Sequence, residues 1–377
     1  MGFLESYHEL KAFHYRSKWG EYLSYSKRGL AHYPGVHGGL ELFLKHADLK
    51  AQHFIDATDT IILGLAAQAQ KVSLVSASEA LLRGARAATQ TTSAHPITCH
   101  PSSLWHFQDQ ADLLCLIPSA DKGTLRVETE LKASYDKLIK GGRAYWLMHK
   151  DLGAKRYESF AATIFDEVKI LGKDKGWRLG VGYKHQDKAL AIFRKVSFEA
   201  AGLKLSAEPG VFACGKLDAG TAFLLENLPL TSFAQKKLLD IGCGYGLLAL
   251  KATQAGAEVS ALDDDVLAVK STLENAQDLG LKLEAFHSDV DSALPYSPQS
   301  FDIVLMNPPF HAGKQVILDI PKAFLAAAQQ ALKVGGELYL VANRALPYEV
   351  EFASWAKIQT LAENNVFKVI QAVKKSP

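Results

Sequence analysis

The sequence predicts an α/β protein built from two tandem domains of one fold, each a parallel sheet with helices on both faces. Three observations carry this. Short runs rich in Val, Ile and Leu alternate with longer amphipathic segments, which is the pattern of a parallel sheet crossed by helices. The same order of elements occurs twice along the chain. A length of 377 residues also suits two domains better than one.

The second half carries the clearer copy. "KKLLDIGCGYGLLALKATQAG" is a strand, a glycine loop and a helix, and "AEVSALDDDVLAVKSTLENAQDLG" is a strand, an acidic tip and a helix ending at Gly280. "LEAFHSDVDSAL" adds a short strand with acids at its end. Then follow "FDIVLMNPPF", the Ala-rich helix "DIPKAFLAAAQQALK", the turn at Gly335-Gly336 and the strand "ELYLVAN". In the first half, "AQHFIDATDTIILGLAAQAQ", "KVSLVSASEALLRGARAAT" and a segment from Gln110 through Gly141-Gly142 to "AYWLMHK" repeat that order. Asp56 to Gly141 spans 85 residues and Asp240 to Gly335 spans 95. The expected domains are 1–200 and 201–377.

The copies differ where chemistry would be done. Opposite Gly242, Gly244 and Gly246 stand Ala57, Asp59 and Ile61; opposite Asp263-Asp264-Asp265 stand Ser76-Ala77-Ser78. Asn307-Pro308-Pro309-Phe310 faces Ile117-Pro118-Ser119-Ala120. The first domain keeps the fold signal and lacks the site.

Composition excludes several classes. The chain is 48% hydrophobic and 22% charged, with no apolar stretch long enough to span a bilayer. Its start lacks the basic and apolar regions of a signal peptide. The cysteines Cys99, Cys115, Cys214 and Cys243 show no metal or disulfide spacing, so a reducing cytoplasm and a metal-free protein are expected. Residues 1–200 hold 27 Lys+Arg against 21 Asp+Glu, a balance of +6, while residues 201–377 balance at −4. Lys11, Arg16, Lys18, Lys27 and Arg28 cluster among aromatics near the start. An anionic partner for the first domain fits this, although a solvated lysine-rich surface does as well.

The second domain's strand tips describe a ligand. "LLDIGCGYG" lets backbone approach a ligand closely, but a dinucleotide fingerprint needs glycine at Leu247. Asp240 before the glycines suits a cationic or amine-bearing group. Asp263, 23 residues on, is placed for ribose hydroxyls. Asp289 ends the third strand, where an adenine amino group would fit. Together these describe S-adenosylmethionine. "FDIVLMNPPFH" ends a buried strand in two prolines that cannot extend it, leaving Asn307 on a stiff loop with Phe310 beyond.

Residues 205–377 resemble a class I S-adenosylmethionine-dependent methyltransferase, and Asn307-Pro308-Pro309-Phe310 resembles that superfamily's motif for methylating an exocyclic or amide nitrogen. With "EPGVFACGKLDAGT", "NPPFHAG", "ILD" and "VAN" in order, the chain resembles the RsmC/RlmG family of ribosomal RNA guanine-N2 methyltransferases. That family carries an N-terminal, degenerate methyltransferase-like domain, so the likeness covers both Rossmann-like halves. It implies cofactor binding by Asp240, Gly242, Gly244, Asp263 and Asp289, with Phe212 and Thr221 from a segment that covers the cofactor. It implies base binding and catalysis by Asn307, Pro308, Pro309 and Phe310. The implied partner is ribosomal RNA or a ribosomal subunit, the small subunit favoured over the large. His311 reads as a surface histidine. Related motifs also serve adenine-N6 and protein glutamine methyltransferases, and a non-catalytic RNA-binding assembly factor is a third reading.

Overall fold

The computed structural model describes residues 3–18, 20–30, 32–36, 38–92, 96–309 and 319–376. They form two compact units, Leu10–Arg194 and a second made of Met1–Glu9 together with Lys195–Pro377.

The first unit opens with an antiparallel hairpin, β1 (Lys11–Ser17) and β2 (Gly20–Ser26). Its sheet contains β3 (Lys50–Ala57), β4 (Gln68–Ser76), β5 (Ile97–Pro101), β6 (Ala111–Leu116), β7 (Leu138–His149), β8 (Glu167–Asp174) and β9 (Trp177–Tyr183). The order is β5-β4-β3-β6-β7-β9-β8. The second unit has its own hairpin, β10 (Val196–Ala200) and β11 (Leu203–Ala207). Its sheet contains β12 (Lys237–Ile241), β13 (Glu258–Asp263), β14 (Glu284–His287), β15 (Phe301–Met306), β16 (Leu332–Asn343), β17 (Ala356–Glu363) and β18 (Phe367–Lys374). The order here is β14-β13-β12-β15-β16-β18-β17. In each sheet the first five strands are parallel, and only the penultimate position in the order, β9 or β18, runs against both neighbours. Two tandem domains of one Rossmann-like fold are therefore present.

Burial on both faces explains the sequences of the central strands. In β6 ("ADLLCL") and β15 ("FDIVLM") every residue is buried except the second. That second residue is an acid with the same task in both sheets. Asp112 accepts the His53 N–H at 2.7 Å, and Asp302 accepts the Lys237 N–H at 2.9 Å, each pinning the neighbouring strand. The double-glycine turns match as well. Gly141 and Gly335 have φ of 87° and 78°, and a Cβ on Gly142 or Gly336 would lie 3.0 Å from a carbonyl oxygen of its own turn. The repeat extends to these local constraints.

The first nine residues depart from the expected 1–200 division. The helix Phe3–His8 buries Leu4 and Tyr7 among Ala323, Phe324 and Ala327 of the helix Asp319–Ala331. Six residues are too few to display a helical period, so the sequence carried little sign of this packing. The first unit is thus inserted into the chain of the second.

Val304, Leu305 and Met306 are fully buried, each worth about 1.5–3 kcal/mol on transfer from water. They lead to the point between β12 and β15 where the strand order reverses. A crevice opens there at the carboxyl ends of the strands.

Candidate active site

The site is built from the tip of β12. Asp240 is 1% exposed; its Oδ2 accepts the Ala249 N–H at 3.1 Å, and its Oδ1 is buried without a hydrogen-bond partner. Burial pushes this carboxyl up to about 7, against the pull of the Ala249 bond and with a push from the Asp263 charge. Gly242, Gly244 and Gly246 all have positive φ, but their reasons differ. A Cβ on Gly242 would lie 2.9 Å from the Phe324 ring, and one on Gly246 would lie 2.9 Å from Thr272. At Gly244 a Cβ would meet nothing closer than 4.0 Å. Two glycines serve packing, while Gly244 leaves space.

Asp263, half-buried at the end of β13, ties this loop down. Its Oδ2 accepts the Gly244 N–H and its Oδ1 the Asp265 N–H, both at 2.9 Å. Each oxygen keeps acceptor capacity beyond these bonds. Burial raises its pKa to about 7. Asp265 caps the helix Val266–Asp278 through the Leu267 N–H at 2.9 Å.

Asn307 follows β15. Its Nδ2 donates to Asp218 Oδ2 at 3.0 Å and to Thr221 Oγ1 at 2.8 Å. Pro308 is buried and Pro309 exposed. Phe310 and His311, named from the sequence, lie outside the described residues. Asp218 caps the helix Ala219–Glu226 through the Thr221 N–H at 2.8 Å. The segment before it is joined to the glycine loop by Tyr245, whose hydroxyl donates to the Lys216 carbonyl at 3.2 Å.

These pieces line an open cleft, with Phe212, Ala213, Asp218, Thr221, Gly242, Cys243, Gly244, Tyr245, Leu247, Leu248 and Asn307 in its walls. Phe212 is 60% exposed at its edge, whereas Thr221 is buried. Among the described residues no Lys, Arg or His belongs to this lining, and the nearby charges are carboxylates. Such a cleft suits a cation or a donor-rich ligand and opposes a pyrophosphate. The structure thus brings together Gly242, Gly244, Phe212, Thr221 and Asn307, with Asp240 and Asp263 bonded to the same loop and helix.

Asp289 is buried just beyond β14, and its Oδ2 lies 3.5 Å from His8 Nδ1. His8 Nε2 in turn lies 2.6 Å from Asp291 Oδ1. Sequence reasoning missed Asp218 and Tyr245. The sign available for Asp218 was its place ahead of an apolar helix, which marks a cap and hides a second duty.

The first unit keeps a cleft at the corresponding place, lined by Ala57, Asp59, Ser76, Arg126 and Glu130 among others, but its polar groups are bonded differently. Asp56 uses both oxygens, accepting from Thr58 Oγ1 at 2.6 Å, Thr58 N at 3.1 Å and Gly64 N at 2.8 Å. Thr58 is therefore the residue that supplies the bond Asp240 Oδ1 lacks. Asp59 has φ 53°, close to the 58° of Gly244, and places a side chain where Gly244 leaves space. Ser76 Oγ donates to Asp59 Oδ1 at 3.2 Å and accepts the Ser78 N–H at 3.2 Å, the position Asp263 holds in the second unit.

Residues 202–371 match the methyltransferase small domain family. The chain is 42% identical over 181 residues to ribosomal RNA small subunit methyltransferase C of Chromohalobacter salexigens, covering 47% of this chain and 53% of that protein. It is 39% identical over 180 residues to ribosomal RNA large subunit methyltransferase G of Shewanella amazonensis, covering 46% of each. The chain thus spans about half the length of the curated relatives it matches. Along its whole length it is similar to a solved structure, the T. thermophilus 16S rRNA N2 methyltransferase RsmC in complex with AdoMet and guanosine. The TM-score is 0.85 at 29% identity, covering 99% of this chain and 100% of that one. The repeated sheet order, the glycine loop with its acids and these likenesses agree: residues 202–371 carry the methyltransferase small domain, and the chain is similar along its length to the RsmC/RlmG class I methyltransferases.

Proposed function

We propose that this protein is an S-adenosylmethionine-dependent methyltransferase acting in the cytoplasm on ribosomal RNA, and that it methylates the exocyclic N2 of a guanine. The small-subunit RNA is favoured over the large, because the likeness that runs the whole length of the chain is to a 16S enzyme. The observation that carries the reading is the fixed amide of Asn307. With both Nδ2 hydrogens held by Asp218 and Thr221, its Oδ1 is left as the acceptor at the edge of the cleft.

The residues present fit the cofactor. Asp240 Oδ1 is a buried acceptor lacking a partner, suited to an ammonium. Gly244 leaves the backbone open, Asp263 retains acceptor capacity for hydroxyls, and the described lining residues include no cation to repel a sulfonium. When bound, S-adenosylmethionine supplies a methyl group already activated on positively charged sulfur. The chain's part is then position. The lone pair of an exocyclic guanine amine is delocalised into its ring, which makes it a poor nucleophile. Asn307 Oδ1, accepting an N–H from that amine, favours a more tetrahedral nitrogen and aims its lone pair. Pro308 and Pro309 hold this stretch of backbone rigid. The methylated nitrogen is acidic and sheds its proton to water, so no strong base is required. Alignment of this kind is worth effective molarities on the order of 10⁵ M. A paired guanine would have to be flipped out or met single-stranded.

The test is mass spectrometry of digested ribosomal RNA from cells lacking this protein. One N2-methylguanosine should be missing and should return with the wild-type chain but not with Asn307→Ala. An unchanged nucleoside profile would overturn the reading.

A further inference from the structure

We infer that Asp218 is the positioning residue of this site, the group that decides which end of the Asn307 amide faces the substrate. The inference rests on the function proposed above. An asparagine amide has two ends of nearly equal shape, and a flip would present Nδ2, a donor, to an amine that is itself a donor. Something must forbid the flip.

Thr221 alone cannot do so, because a hydroxyl donates as readily as it accepts. Asp218 can, since an ionised carboxylate only accepts. One oxygen, Oδ2, takes the Thr221 N–H at 2.8 Å, the Thr221 hydroxyl at 3.2 Å and Asn307 Nδ2 at 3.0 Å. By claiming the Thr221 proton, Asp218 turns that hydroxyl into an acceptor, and Thr221 Oγ1 then receives the second Nδ2 hydrogen at 2.8 Å. Both partners of the amide are thus set by a single carboxylate. Gly220 keeps the path clear: a Cβ there would lie 3.1 Å from Asp218 Oδ2 and 3.7 Å from Asn307 Nδ2.

Helix capping is the rival explanation for Asp218, and a graded series separates the two. Asp218→Ala removes the cap and the acceptor. Asp218→Ser restores a cap but carries a shorter group that can also donate. Asp218→Asn restores the cap and keeps an acceptor oxygen in place. The full-length variants are compared by urea unfolding, by cofactor titration and by turnover on ribosomal RNA.

If Asp218 positions Asn307, stability should recover in both Ser and Asn, while turnover recovers only in Asn. We expect Asp218→Ser to be at least about thirtyfold below wild type and Asp218→Asn within about fivefold, since a neutral acceptor replaces a charged one. Cofactor affinity should change to a similar extent in Ser and Asn, both of which remove the charge, so it does not account for the difference in turnover between them. Turnover that tracks stability across the series, with Ser equal to Asn, would reduce Asp218 to a cap. A second reading needs no activity. The urea midpoints of Asp218→Ser, Asn307→Ala and the double variant should be non-additive, as for groups in direct contact. Additive midpoints would overturn the inference even in an active enzyme. Failure of the wild-type chain to methylate ribosomal RNA would instead overturn the proposed function, leaving the coupling to judge Asp218.

Discussion

Asn307 and Asp240 represent two kinds of polar group, one held by its neighbours and one left wanting. Asn307→Ala removes the acceptor without touching the glycine loop. Turnover should fall a hundredfold or more, about 1.4 kcal/mol of transition-state stabilisation per tenfold, with cofactor affinity near wild type. Turnover within a few-fold of wild type would remove Asn307 from the chemistry. Asp240 makes a pH-dependent prediction. Its carboxyl is raised from an ordinary value to about 7, so below that pH the folded chain holds a proton there that the unfolded chain has released. Native stability should therefore fall as pH rises from about 4 towards 7. Cationic ligand affinity should move the other way, rising through this range as the carboxylate forms, with proton release on binding. Titration calorimetry at pH 6 and 8, in buffers of different ionisation heat, should record that release and its loss in Asp240→Asn. A proton count of zero at both pH values would mean that Asp240 does not meet the ligand. The Asp-x-Gly-x-Gly-x-Gly tip was legible in sequence because backbone geometry demands its residue types. Asp218 was not, because its duty depends on a neighbour 89 positions away in the chain.

At the scale of elements, strands and turns were readable because burial on both faces demands apolar runs and tight turns demand glycine. The helix Phe3–His8 was not, and it bears on the second unit's stability. It buries Leu4 and Tyr7, together worth roughly 3–6 kcal/mol by area. It also sets His8 against Asp289 and Asp291. Burial alone would lower the imidazole's pKa, but the bonds and charges of the two acids outweigh it and raise the value above 6.5. A raised histidine contributes fully below its unfolded pKa, and the contribution fades as pH climbs through the folded value. Wild type should therefore exceed His8→Ala in urea stability most at pH 5.5 and least at pH 8.5. A gap that is constant across that range would mean the His8 contribution is packing alone.

On the scale of the whole molecule, the two units retain one architecture with different demands on it. The first ties its strand-tip acid Asp56 to Thr58 and Gly64 and lines its cleft with Asp59, Ser76, Arg126 and Glu130 in place of the glycines and acids of the second. The basic cluster near its start is smaller than the sequence suggested. Lys27 is fully buried and donates to the Arg28 carbonyl at 3.1 Å, and Arg16 pairs with Glu21 at 2.9 Å. Burial of a lysine inside a turn has no signature in composition. Lys11 and Lys18 remain exposed on or beside the hairpin. If this unit holds RNA phosphates, the Lys11→Ala, Lys18→Ala double variant should weaken ribosomal RNA binding across sequences. It should also lower the slope of log affinity against log salt by about 2. An unchanged slope would place the phosphate contacts elsewhere.

The insertion of the first unit between Glu9 and Lys195 has a consequence in time. Residues 3–8 are synthesised on the order of 300 residues before the helix Asp319–Ala331 that receives them. At about 5–20 residues per second, that is roughly 15–60 s during which Leu4 and Tyr7 have no native partner. The first unit has meanwhile emerged whole and is able to fold. Stalled nascent chains ending near residue 300 should accordingly be clipped by protease within residues 1–9 while Leu10–Arg194 resists. Full-length released chains should be protected at both. Equal protection of the leading segment in the stalled chains would mean that it finds a temporary berth on the first unit, which would then act as its chaperone.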